Sequence, residues 1–138
     1  MILYIDTSSI VKLVIEEEGS VEIRALVSTA ELVWSSLIAY PEARAALSRA
    51  HRSGRLTASP YELAVKAFEA IWRGMAIVYI EARLARHAGD LADRHGLRGI
   101  DAVHLSSALA VRRETGDPVS FSTWDDALMT AAVAEGLG

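Results

Sequence analysis

The sequence contains no cysteine, which excludes disulfides, thiolate-held zinc and a thiol nucleophile together. It has no apolar run approaching the roughly 18 residues of a membrane span. Its opening, MILYIDTSSIVKLVIEEE, is broken by Asp6 and Lys12 and ends on three glutamates. That leaves no uninterrupted apolar stretch of the about 7–15 residues that a secretory signal needs. A cytosolic protein with no membrane attachment is the expectation. Excess positive charge is missing too: the net charge is −4, which argues against a simple basic coat for nucleic acid. Repeats, low-complexity tracts and linkers are also absent.

What is present fits one domain. The chain has 138 residues, and domains most often run to about 100–150. With 51% hydrophobic and 23% charged residues, it can bury a core without covalent staples. The positive residues are unevenly chosen, twelve Arg against two Lys. Arg44, Arg49, Arg52 and Arg55 fall close together with His51 among them. They form either a solvated helix face or a strip of guanidinium forks suited to phosphate oxygens.

Four short apolar or β-branched segments read as strands: Ile2–Ile5, Leu32–Trp34, Met75–Tyr79 and Val119–Phe121. Each runs into a helical pattern. The spacing predicts a first helix through Ile10, Leu13, Val14 and Glu17, and a second through Val21, Arg24, Ala25 and Val27. Further helices are expected over 36–52, from a Ser59 cap with Pro60 in the first turn to Trp72, over 81–95 closed by Gly96, over 101–114, and over 124–135. Strands alternating with helices imply an α/β domain over residues 1–138, a short central parallel sheet of about four strands with helices on both faces.

In such sheets ligands bind beyond the carboxyl ends of the strands. Asp6 follows the first strand, Asp125 follows the last, and Asp101 opens a helix after a glycine turn. Glu42 sits near a helix start with Ile38 one turn before it and Ala45 and Ala46 one turn after, an odd place for a free carboxylate. Singly, Asp6 and Asp101 could be helix N-caps, Asp126 competes with Asp125, and Glu42 could be a surface residue. Jointly, the four point to one acidic pocket. Two like charges about 5 Å apart repel by roughly 3 kcal/mol at an effective dielectric near 20. Clustering therefore predicts either raised carboxyl pKa values or a divalent cation among the acids. Oxygen donors without His or Cys favour Mg²⁺ or Mn²⁺.

These residues resemble the four motifs of the PIN-domain nucleases, in particular VapC-type toxins of toxin–antitoxin pairs. ILYIDTSSIVKL resembles the first motif, WSSLIAYPEARAAL the second, LADRHGLRGIDAVHLSSAL the third and FSTWDDAL the fourth, in family order across residues 2–128. The resemblance implies a Mg²⁺- or Mn²⁺-dependent endoribonuclease. Asp6 and Asp101 would be primary metal ligands, with Glu42 and Asp125 completing the catalytic set. It also implies an RNA substrate, a homodimer and a protein antitoxin that blocks the site. Ser8 and His104 lie close enough in sequence to assist, although a helix-start role and a structural role serve them as well. Trp34, Trp72 and Trp124 read as core or interface residues first and as base-stacking residues second. Two other classes remain. One is a PIN-like domain that binds RNA or protein without cleaving. The other is a phosphatase or receiver, which fits poorly because Ser8 stands where a haloacid-dehalogenase-like phosphatase needs a second Asp.

Overall fold

The computed structural model describes all residues, 1–138. Four parallel strands, β1 (Ile2–Ile5), β2 (Leu32–Ser36), β3 (Ala76–Val78) and β4 (Val119–Ser122), form one sheet in the order β3-β2-β1-β4. Seven helices surround it: α1 (Thr7–Val14), α2 (Ser20–Thr29), α3 (Ala39–Arg52), α4 (Ala58–Gly74), α5 (Ala82–His95), α6 (Gly99–Thr115) and α7 (Asp126–Ala134).

The strand period divides the core. In β1, Leu3 and Ile5 face one layer with α1 to α4, where Ile10, Ile23, Leu47 and Phe68 are buried. Tyr4 faces the other layer, with Leu91, Leu105, Phe121 and Leu128 from α5, α6, β4 and α7. A central strand covered on both faces is apolar throughout, and ILYI is. Helix α6 is buried on almost every side from Ala102 to Val111. Its small residues let it pass close to α5, where Ser106 Oγ donates to the Leu84 carbonyl at 3.0 Å. No helix is long and apolar enough to cross a membrane.

Both faces carry helices, as the alternation predicts, and all four expected strands exist. Their bounds differ in instructive ways. β2 extends to Ser36 because Ser35 and Ser36 are buried, and Ser35 Oγ donates to the Ile5 carbonyl at 2.8 Å. The helix expected from residue 36 therefore begins at Ala39. Helix α1 ends at Val14, leaving Glu17 outside it to pair with Lys12. Thr57, not Ser59, stands at the start of α4, and Trp124 precedes α7. Helix α6 starts at Gly99, so Asp101 lies within its first turn and is not its cap.

The chain passes from β1 outward to β2 and β3, then returns to place β4 on the other side of β1. The helices after β1 and β4 consequently pack on opposite faces of the sheet. A crevice opens between the two strand ends, the position where open α/β sheets bind ligands.

Candidate active site

Asp6 and Asp125 enter that crevice from adjacent strands. Ile5 is in register with Ser122, and the Asp6 N–H donates to the Ser122 carbonyl at 3.1 Å. Both acids also cap the helices that follow. Asp6 Oδ1 accepts from the Ser9 N–H at 3.1 Å, and Asp125 Oδ1 from the Leu128 N–H at 2.8 Å. For Asp6, capping and site occupancy, posed as alternatives by the sequence, coincide, and Asp125, not Asp126, caps α7. Glu42 arrives from the first turn of α3 and Asp101 from the first turn of α6. The four carboxylates line one cavity of about 310 Å³ with Thr7, Ser8, Arg98, His104 and Trp124. Asp126 is exposed outside it.

Each acid brings donors with it. Asp6 is buried and also accepts from Ser8 Oγ at 2.7 Å and, through Oδ2, from Thr123 Oγ1 at 2.6 Å. Glu42 Oε1 accepts from Thr7 Oγ1 at 2.6 Å and lies 2.8 Å from His104 Nε2. Arg98 supplies the cation: its Nε is 3.0 Å from Asp101 Oδ2, and its Nη2 is 3.8 Å from Asp125 Oδ2. The guanidinium is 80% exposed, so it leans over the cavity from solvent.

These donors bear on one acid of the four. Clustering predicts either raised carboxyl pKa values or a divalent cation, and the Glu42 value is lowered. Burial alone would push it up, but hydrogen bonds from His104 and Thr7 and the nearby charge of Arg98 hold it below the ordinary carboxylate value. Behind Glu42, His104 is 1% exposed, and its Nδ1 lies 2.8 Å from the Tyr4 hydroxyl. An ionised carboxylate only accepts, so Nε2 donates to Glu42, and in the neutral imidazole Nδ1 then accepts from the Tyr4 hydroxyl. His104 is thus both a core residue and a wall of the cavity.

No group of three or more His, Asp or Glu side chains is arranged to hold a metal ion as the side chains stand. The donor chemistry nonetheless fits a hard divalent cation: the cavity offers carboxylate and hydroxyl oxygens and no sulfur. The Arg98 guanidinium between Asp101 and Asp125 marks where positive charge is wanted.

The structure does not gather every candidate. The arginine strip along α3 is not a continuous phosphate track, because Arg44 pairs with Glu69 and Arg55 with Glu17. Trp34 packs against the core, and Trp72 sits among Tyr40 and Phe68. Trp124 is on the surface at the cavity rim, 45% exposed. Sequence reading gave no role to Thr7 and Arg98, and used Thr123 only to favour Asp125 over Asp126. Arg98 left a trace, since it precedes Asp101 by three residues, a spacing that makes helical neighbours. The bonds of the two threonines to Glu42 and Asp6 left none, because those partners come from distant parts of the chain.

The PIN-domain family signature matches residues 3–118. Two Mycobacterium tuberculosis proteins, ribonuclease VapC45 of strain CDC 1551 / Oshkosh and ribonuclease VapC49 of strain H37Rv, are each 44% identical to this chain over 136 residues. The match covers 98% of this chain and 92% of each relative. Among solved structures, M. tuberculosis VapC20, described as a toxin cleaving the sarcin-ricin loop, superposes with a TM-score of 0.70 at 20% identity. That match covers 99% of this chain and 96% of the other. VapBC2 from Rickettsia felis, bound to a fragment of its promoter DNA, gives 0.64 at 15% identity, covering 95% and 93%. The two solved structures establish the likeness of fold, and the sequence matches establish kinship: the chain belongs to the VapC branch of the PIN-domain family.

Proposed function

We propose that residues 1–138 form one nuclease domain, a Mg²⁺- or Mn²⁺-dependent endoribonuclease that hydrolyses RNA phosphodiester bonds as the toxin of a toxin–antitoxin pair. The observation that carries this reading is the convergence of Asp6, Glu42, Asp101 and Asp125 on one cavity at the carboxyl edge of the sheet. Kinship with proteins named ribonuclease supports the reaction class. The cytosol as its place of action, a homodimer and a blocking antitoxin complete the proposal.

Asp6 and Asp101 are the residues assigned to hold the cation, with Glu42 and Asp125 completing the set. When bound, such an ion supplies positive charge that stabilises phosphate oxygens and makes a nearby water more acidic. Ser8 and Thr123 fix the Asp6 carboxylate by donating to its two oxygens. Thr7 and His104 do the same for Glu42. Held ionised at neutral pH, Glu42 accepts a hydrogen bond and so orients an attacking water; its lowered pKa makes it a weak proton acceptor. Arg98 pairs with Asp101 and lies near Asp125, offsetting one of their two charges, and, being mostly exposed, can turn towards a substrate phosphate.

The test is incubation of the purified protein with total cellular RNA, with Mg²⁺, Mn²⁺ or chelator, beside Asp101→Asn. Metal-dependent cleavage that the variant loses is the expected result. Cleavage that persists in chelator or in Asp101→Asn would overturn the assignment. The Arg98 pairing, which offsets part of the negative charge without an ion, favours one second reading, a domain that binds RNA without cutting it. RNA binding without metal and without cleavage would select it.

A further inference from the structure

The acid cavity continues into a second hollow. A groove of about 610 Å³ runs along the α1–α3 surface, and Thr7, Ser8, Glu42 and Trp124 line both spaces. Its floor is apolar, with Val11, Ile38, Pro41 and Ala45, and its charges include the cations Lys12 and Arg49. Trp124 stands at the junction, a large aromatic with nearly half its surface open.

The indole is fixed on several sides. The Lys12 ammonium lies over the ring, 4.9 Å from its centroid. That ammonium is itself held by Glu17 Oε1 at 3.2 Å and the Glu18 carbonyl at 2.8 Å. The ring edge rests on Gly19, where a Cβ would come within 2.5 Å of Trp124 Cζ2. Gly19 also has φ +92°, a conformation that glycine adopts readily. The Trp124 backbone N–H donates to Ser8 Oγ at 3.1 Å, and Ser8 donates to Asp6. Two hydrogen bonds therefore register an exposed ring to the acid cluster, and such preorganisation lowers the entropy lost on binding.

We propose that Trp124 is the stacking platform for a nucleobase next to the phosphodiester that the acids address, which makes it a substrate-positioning residue. The identity of the ligand as single-stranded RNA rests on the ribonuclease reading above. The chemistry of the groove matches a nucleotide part by part. The indole face that Lys12 leaves open takes a base, the apolar floor shields it from water, and Arg49 on the groove wall offers a cation to a flanking phosphate.

The test is tryptophan fluorescence titrated with hexanucleotide RNAs of each base, with Mg²⁺ and with chelator, alongside steady-state cleavage. The wild-type signal is quenched saturably. Trp124→Leu loses that quenching and binds about 5- to 150-fold more weakly, the range expected for one lost base–aromatic stack. Its KM rises while kcat changes little, and Trp124→Phe recovers most of the loss. Gly19→Ala, which keeps the indole but displaces it, reproduces the defect and carries the test if Trp124→Leu does not fold. Cleavage by a wild type that RNA does not quench overturns the subsite and leaves the nuclease reading intact. Quenching abolished by Trp124→Leu without any cleavage keeps the subsite and removes the nuclease reading. Quenching by an amphipathic peptide and not by RNA overturns the proposal in favour of a protein partner.

Discussion

His104 Nε2 lies 2.8 Å from Glu42 Oε1, while the opposite ring nitrogen meets the Tyr4 hydroxyl at the same distance, so one imidazole ties the cavity wall to the core. Removing it takes that partner from the fully buried Tyr4 hydroxyl and leaves Glu42 with Thr7 alone. His104→Ala should destabilise the fold by about 1–3 kcal/mol from the buried hydroxyl alone. Urea unfolding measures this, and a change below about 0.5 kcal/mol, typical of an inert surface site, would contradict the role.

The lowered Glu42 pKa fixes the sign of a pH effect. A carboxyl whose folded value lies below its unfolded value adds stability that is fully present above the unfolded value. That contribution is lost as pH falls through the folded one. In chelator, wild type should therefore exceed Glu42→Gln in unfolding free energy at pH 6, and the margin should shrink as pH drops below the ordinary carboxylate range. A margin that grows on acidification would show that burial, not the His104 and Thr7 hydrogen bonds, governs this carboxyl.

Arg98 and an added divalent ion should compete for Asp101 and Asp125. Arg98→Met should lower metal-free stability only slightly, since exposed pairs contribute about 0.2–1 kcal/mol. It should respond more strongly to Mg²⁺. For a wild-type dissociation constant near ~1 mM, about 10 mM ion adds roughly 1.4 kcal/mol, and the variant should gain more. Identical thermal shifts in the two proteins would exclude competition.

Asp6 allows folding and chemistry to be separated. Asp6→Asn keeps an oxygen to accept from the Ser9 N–H, whereas Asp6→Ala loses the cap at a cost of about 1 kcal/mol. Both should abolish cleavage, and only Asp6→Ala should melt markedly earlier. An active Asp6→Asn would remove Asp6 from the set assigned to the cation.

The strand ends were the most legible part of the sequence. ILYI is uniformly apolar because it lies between two helical layers, and the acids at strand ends and helix starts mark the crevice. Ser35 and Ser36 were not legible as strand, because serine suits a sheet interior only when a neighbour such as the Ile5 carbonyl accepts its proton. The same limit hid the bonds of Thr123 and Thr7, whose hydroxyls matter only once distant carboxylates reach them. Trp124 was read as core or interface because an isolated indole in a sequence carries no sign of exposure. Its place at the rim is set by Gly19 and Lys12, which lie more than a hundred residues away in the chain.

The pairing of Ile5 with Ser122 has a consequence for biosynthesis. Asp6 is made well over a hundred residues before Thr123, which donates to it, and Asp125, which shares its cavity. Until β4 docks beside β1, a growing chain presents an unpaired strand edge and an incomplete set of acids. The acid cavity is thus complete only once β4 has been made and has docked, so the order of synthesis delays its assembly.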